Sequence, residues 1–212
     1  MSKDDQEILT VKRNLLFGDS GQNYFSGFLS NSIIDFKTKI LSNVEWNRRG
    51  DMEINPFYKQ PIAYCLIVNP TLEKIFVYIR SNKNENYHEK RLHGKLSLGI
   101  GGHIEREDTS TEDPIYESML RELNEEVGIS GNVNARILGY INDDNDKVGQ
   151  VHFGILYLIE TNAIDIKPKS SELSEGKFIS LNEIKEICSN PNIIIEGWSK
   201  ISLVALENYF GY

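Results

Sequence analysis

Two cysteines are all that this 212-residue chain contains, and they show no metal-binding or redox spacing. Cys65 lies inside an apolar run and Cys188 in a predicted helix, so both are expected to be reduced, packed thiols. Long hydrophobic runs are missing as well. The apolar stretches at 62–68 and 193–195 fall far short of the roughly 20 residues that cross a bilayer, which predicts no transmembrane helix and no membrane partner. The first residues, Met1-Ser2-Lys3-Asp4-Asp5-Gln6-Glu7, are acidic and polar where a secretory signal needs a basic start and an apolar core, so a cytoplasmic protein is expected. Basic residues are in deficit, 23 Lys and Arg against 31 Asp and Glu, and the formal charge of −8 argues against nucleic acid as a partner. A small phosphate ester bound with a metal ion is not excluded, because the metal supplies the local positive potential. Internal repeats, low-complexity tracts and Gly/Ser linkers are also absent.

What is present is a folding composition: 40% hydrophobic and 25% charged residues suit a globular chain and are too apolar for a disordered one. The length allows one ordinary domain plus an extension. The hydrophobic period changes near Pro61. Before it, Phe25, Leu29, Ile33, Phe36 and Ile40 recur at helical spacing, after a predicted strand over 8–17. Residues 1–60 are therefore expected to form an extension packed on or covering a main domain, 61–212. In that domain β-branched and aromatic runs predict a hairpin of 62–69 with 74–79, then strands over 95–100, 133–141, 151–159 and 176–180. Helices are predicted over 114–127, 181–188 and 197–210, the first with Pro114 at an opening position, Asp113 as a cap and Gly128 at its end. This alternation implies an α/β/α sandwich with a mixed β-sheet.

On the 114–127 helix, Glu122, Glu125 and Glu126 stand at i, i+3 and i+4, so three carboxylates project from one face. Like charges at this spacing repel by a few tenths of a kcal/mol per pair, and by more when buried. A divalent cation converts that repulsion into binding. Oxygen ligands select hard cations, so magnesium is expected, with manganese as a substitute. Tyr116, Leu120, Leu123 and Val127 are read as the anchoring apolar stripe, and Ser118 leaves room one turn before Glu122. Arg121 is placed to reach Glu125 and Asp113.

The wider pattern is Gly101-Gly102-His103-Ile104-Glu105, then Asp113, then seven residues, then Arg121-Glu122-Leu123-Asn124-Glu125-Glu126-Val127-Gly128-Ile129. It resembles the Nudix box, which runs Gly, five residues, Glu, seven residues, Arg-Glu-apolar-any-Glu-Glu-any-Gly-apolar. About five extra residues precede the position matching the first box glutamate, which is read as Asp113, or as Glu112 with a shift of one. The resemblance spans roughly 61–188. It implies a phosphoanhydride hydrolase acting on a nucleoside diphosphate linked to another moiety, with Glu122, Glu125 and Glu126 and a carbonyl of Gly101 or Gly102 on magnesium. Arg121 would orient the carboxylates. Glu172, six residues before Phe178, matches a further catalytic carboxylate of some members, acting as ligand or base. The catalytic set is thus Arg121, Glu122, Glu125 and Glu172, and a homodimer is allowed for. The competing readings are a catalytically silent nucleotide-sensing module and an isopentenyl diphosphate isomerase, the latter needing a reactive cysteine that Cys65 does not match in context.

Other features are weighed and set aside. Gly99, Gly101 and Gly102 lack the third glycine and immediate helix of a dinucleotide fingerprint. Asp143 to Asp146 lacks the glycine and distal glutamate of a calcium loop and reads as a hairpin turn. The basic cluster His88, Lys90, Arg91, His93 and Lys95 reads as a solvated loop. His103 is a candidate for the leaving-group side, His152 a packed strand histidine, and Arg49, Glu53 and Tyr58 lie where an extension could cover a substrate pocket.

Overall fold

In the computed structural model, which describes residues 2–81 and 94–212, a strand, β1 (Glu7–Lys12), turns directly into a short helix, α1 (Arg13–Phe17). The strand predicted over 8–17 is shorter because α1 buries the neighbours Leu16 and Phe17 and stops at Gly18, whose φ of 85° suits glycine. The helix predicted over 25–40 is corrected too: the segment holds β2 (Gly27–Ser30) and only then α2 (Phe36–Leu41). Asp35 accepts a hydrogen bond from Thr38 N at 3.0 Å and starts the helix there, so the four-residue spacing of Phe25 and Leu29 is coincidental. β3 (Glu45–Arg48), α3 (Arg49–Met52) and the long β4 (Tyr58–Asn69) follow.

β5 (Lys74–Arg80) completes the predicted hairpin, with Val68 opposite Ile75. The strand predicted over 95–100 is two pieces, β6 (Leu96–Ser97) and β7 (Gly99–His103). His88, Lys90, Arg91 and His93 of the basic cluster lie outside the described residues. α4 (Pro114–Glu126) is preceded by a 3-10 turn, Arg106–Ser110. Then come β8 (Val127–Ile129), β9 (Val133–Asn142), α5 (Lys147–Val151) and β10 (His152–Thr161). Asp146 caps α5 by accepting from Gly149 N at 2.8 Å, so the acidic 143–146 turn leads into a helical turn, not a tight hairpin. β11 (Ile166–Pro168), β12 (Leu173–Ser180), α6 (Leu181–Ser189) and α7 (Gly197–Phe210) complete an α/β architecture with a mixed sheet. Among the described residues no helix is long and apolar enough to cross a membrane.

The chain divides into two compact units. The first comprises Met1–Tyr64, Gly101–Arg121 and Ile137–Leu156. In it β1 pairs antiparallel with β3 and with the start of β4, and β2 pairs with β9, Gly27 opposite Asn142. Its core joins distant parts of the sequence: the Phe36 ring lies 5.2 Å from Tyr140 and 5.3 Å from Phe153, and Phe17 lies 5.9 Å from Phe153. Aromatic pairs of this kind contribute roughly 0.5–1.5 kcal/mol each beyond their burial. Lys59, fully buried, donates to Asp144 Oδ1 (2.7 Å), Gly149 O (2.6 Å) and His152 O (3.1 Å), and Arg13 also pairs with Asp144. Burial pulls the Lys59 ammonium down to about 8, with Asp144 working in the opposite direction.

The second unit comprises Cys65–Ile100, Glu122–Arg136 and Tyr157–Tyr212. Here β5 runs between β4 and β12, with Phe178 opposite Phe76. β12 begins at Leu173, earlier than the predicted 176–180, because an irregularity between Ser174 and Lys177 carries the pairing past Glu175, whose φ is 52°. β11 pairs with β8, Pro168 opposite Val127. α6 starts on a capping box in which Ser180 and Glu183 exchange hydrogen bonds.

Candidate functional site

α4 carries the chain from the first unit into the second, and its local sequence sets its orientation. Asp113 Oδ1 accepts from Tyr116 N at 3.2 Å, while the Lys37 ammonium pairs with the same carboxylate. Ile115 and Met119 are wholly buried and Leu123 nearly so, so the anchoring stripe is Ile115-Met119-Leu123 with Val127. Tyr116 is 37% exposed, which corrects the stripe expected through Tyr116 and Leu120. With that arc inward, Glu122 (9% exposed) and Glu126 (7%) are drawn toward the protein and Glu125 faces out.

Within the second unit, Glu126 is the focus of the acidic cluster. Its carboxyl is pushed up to about 8, by burial first and then by the charges of Glu122, Glu172 and Glu125, with Arg80 pulling the other way. Its Oε2 is buried without a hydrogen-bond partner among the described residues. The Glu126 backbone is fixed by the β8–β11 pairing: its carbonyl accepts from Lys169 N (2.8 Å) and Ser170 N (3.3 Å). The following turn holds Glu172, whose carbonyl accepts from Ser81 N at 2.8 Å. The structure thus brings Glu172 to Glu122, Glu125 and Glu126, although it stands 46 positions beyond the last of them. Cys65 is wholly buried, and burial together with Glu122 and Glu126 pushes its thiol well up, the opposite of a reactive thiolate. Cys188 is exposed, not packed as expected; both thiols are free.

Within the first unit, Arg121 donates from Nε to Asp108 Oδ1 (2.9 Å) and from Nη2 to Asp108 Oδ2 (3.1 Å) and to the His103 carbonyl (2.9 Å). Asp108 is buried in the 3-10 turn and also accepts from Glu105 N at 2.8 Å. Asp108 thus binds the arginine through both its oxygens, with Glu107 Oε1 farther off at 3.6 Å, while Asp113 caps α4 and pairs with Lys37. Five residues separate Gly102 from Asp108, which is the box spacing, and read that way the extra residues follow the acidic position. Gly101 is required for close approach, since a Cβ there would lie 2.2 Å from the Ala63 carbonyl oxygen. Gly101 and Gly102 lie in β7.

His103 and His152, read separately in the sequence, meet in the first unit, Nε2 to Nε2 at 3.2 Å. Glu53 Oε1 lies 3.9 Å from His103 Nε2, and Arg49 Nε 3.4 Å from the same oxygen, whereas Tyr58 bonds to Glu45 at 3.0 Å. Burial, followed by the charge of Arg49, holds the His103 imidazole well below its usual range and so neutral.

A sequence model of the NUDIX domain matches residues 59–195. Protein YmaB of Bacillus subtilis (strain 168) is 32% identical over 213 residues, covering 98% of this chain and all of that protein. The solved structure of Tm1382, described as a candidate Nudix hydrolase, is 29% identical, covers 97% of this chain and 100% of its own, and superposes with a TM-score of 0.78. A NUDIX hydrolase from Alicyclobacillus acidocaldarius, at 13% identity, shares the fold over 70% of this chain and 90% of its own, with a TM-score of 0.54. The box, the fold and these likenesses agree: the chain belongs to the Nudix family and is a hydrolase of that class.

Proposed function

We propose that the protein is a magnesium-dependent pyrophosphohydrolase that splits a nucleoside diphosphate linked to another moiety into a nucleoside monophosphate and the phosphorylated remainder. The observation that carries this reading is the convergence of Glu122, Glu125 and Glu172 on the buried Glu126, whose Oε2 has no hydrogen-bond partner among the described residues. Oxygen donors alone, several carboxylates and one buried atom left over suit a hard divalent cation. Glu122, Glu125 and Glu126 would hold magnesium, or manganese in its place. When bound, the cation neutralises phosphate charge and acidifies water.

The chain's own residues supply the rest. Water attacks phosphorus, the anhydride P–O bond breaks, and the proton of the attacking water passes to a carboxylate, a role assigned here to Glu172, whose charge reaches Glu126. With its carboxyl pushed up to about 8, Glu126 would hold a proton at neutral pH without a cation and would have to release it to bind one. Arg121 does not touch the phosphates in this scheme; fixed by Asp108 and the His103 carbonyl, it positions the helix bearing the carboxylates. Residues 1–60 serve as an extension to the 61–212 hydrolase domain, the protein works in the cytoplasm on a small molecule, and nucleic acid and membranes are not its partners. A nucleotide-sensing module without catalysis is disfavoured because all three box glutamates are intact.

The test is a magnesium-supported screen of nucleotide sugars, dinucleoside polyphosphates, ADP-ribose and nucleoside triphosphates, with products identified by chromatography. Release of a nucleoside monophosphate from a diphosphate-linked substrate supports the reading. Tight binding of such compounds without turnover would favour the sensing module.

A further inference from the structure

His103 ends β7, His152 begins β10, Glu53 directly follows α3 and Gln60 lies in β4, so four elements of the first unit deliver side chains to one place. The ring nitrogens are arranged with defined roles. His152 Nδ1 lies 2.8 Å from the Val148 carbonyl, which can only accept, so Nδ1 carries the proton and Nε2 presents a lone pair. That lone pair faces His103 Nε2 at 3.2 Å, and Gln60 Oε1 lies 2.8 Å from the same His103 nitrogen. Two imidazole nitrogens bound to one zinc ion at about 2.0–2.1 Å with a tetrahedral angle stand about 3.3 Å apart, which is the separation found here. The Glu53 carboxylate oxygen, His103 Nε2 and His152 Nε2 all lie within 4.8 Å of one another. Gln60 is wholly buried, and its Nε2 has no hydrogen-bond partner among the described residues.

We propose that Glu53, His103 and His152, with Gln60 as an oxygen donor, form a second cation site, which takes an imidazole-preferring divalent transition metal, with zinc as the type. Its donor set differs in kind from the glutamate cluster: neutral imidazoles select borderline metals, whereas carboxylates alone select magnesium. The Val148 carbonyl fixes one ligand ring by its far nitrogen, as outer partners do in metal sites. The group that a cation must displace is Arg49, whose Nε lies 3.4 Å from Glu53 Oε1. A metal here ties α3, β4, β7 and β10 together, and so stabilises the folded state.

The experiment uses the full chain, stripped with chelator, exchanged into chelator-free buffer and then held in saturating magnesium. Cobalt(II) is titrated while visible absorption is recorded, and zinc is then added as competitor. One equivalent of cobalt should give the intense bands of a four-coordinate site, unaffected by magnesium and abolished by zinc, and zinc should raise the melting temperature. Glu53→Gln and His152→Ala should each weaken zinc binding at least tenfold, the lower bound for disturbing a partner in a metal site, while Glu125→Gln leaves it unchanged. Glu53 is partly exposed, so its variant reports even if His152→Ala fails to fold. Absence of saturable cobalt binding in magnesium overturns the proposal, and so does binding that survives Glu53→Gln and His152→Ala but is lost in Glu125→Gln. Neither result bears on hydrolysis at the glutamate cluster.

Discussion

Arg121 grips Asp108 through two near-parallel N–H···O bonds of 2.9 and 3.1 Å, across 13 residues of sequence. A planar fork against a carboxylate fixes direction as well as distance, so this pair sets the rotation of α4 at the point where Glu122 begins the acidic cluster. Asp108→Asn keeps the shape and removes the charge. It should lower magnesium-supported turnover roughly 10–100-fold, the scale of an outer partner in a metal site. Asp113→Asn should leave turnover within a few-fold and cost about 1 kcal/mol or less of stability, since Asn also caps helices. Steady-state kinetics and thermal melts of both variants check this, and equal losses of turnover would return the role to Asp113.

The Glu126 carboxyl makes the metal-free protein sensitive to pH. Its folded value of about 8 lies above the ordinary 4.5, so below pH 4.5 both folded and unfolded chains hold the proton and nothing is lost. Between 4.5 and 8 the unfolded chain releases it first and stability falls as pH rises. At 1.36 kcal/mol per unit the full loss is on the order of 3–5 kcal/mol. Glu126→Gln should therefore match the wild type near pH 4.5 and melt higher near pH 8.5, both in EDTA. Parallel melting curves for the two proteins across that range would show that Glu126 does not titrate as described.

Metal supply should act in the opposite sense. Turnover should vanish in excess EDTA and return with magnesium or manganese, and undiminished hydrolysis in EDTA removes the metal from the mechanism. Because a cation displaces the Glu126 proton, the magnesium-induced rise in melting temperature should be larger at pH 8 than at pH 5. Differential scanning calorimetry at the two pH values reads this directly.

Glu125 and Glu172 should separate by what they change. Glu125→Gln should lower turnover about a hundredfold and weaken the magnesium-induced melting shift. Glu172→Gln, if its carboxylate chiefly takes a proton, should slow turnover and leave the shift almost intact. A lost shift in Glu172→Gln makes it a ligand, and unchanged turnover removes it from the site.

Gly101→Ala places a methyl group 2.2 Å from the Ala63 oxygen, so β7 must move away from β4. A cost of about 1–3 kcal/mol follows, a melting-point loss of roughly 2–12 °C for a chain of this size. An unchanged melt would mean that β7 relaxes without strain.

The α/β class, the 62–69 hairpin strands, α4, α6 and α7 were legible because their hydrophobic patterns are sustained and local signals mark their ends, Asp113 and Pro114 at the start of α4 among them. The acidic trio was legible for the same reason, three carboxylates on one turn of one helix. What escaped was set by tertiary contact. Phe25 and Leu29 mimic a helix by spacing alone: Phe25 precedes β2 and Leu29 lies in it, and the helix begins only at Phe36. Asp108 was passed over because the extra residues were counted ahead of the acidic position, and its bonds to Arg121 show only in the fold. The meeting of His103 with His152 depends on which strands lie side by side, and no local spacing encodes that.

The ring cluster of Phe17, Phe36, Tyr140 and Phe153 bears on how the gene can be cut. Two of those rings come from the first 60 residues and two from beyond residue 136, so an expression fragment starting near residue 61 would carry half of an interior with nothing to close it. Such a fragment is a poor candidate for crystallisation or for a minimal enzyme, and library designs that shuffle segments should exchange 1–60 and 137–156 together.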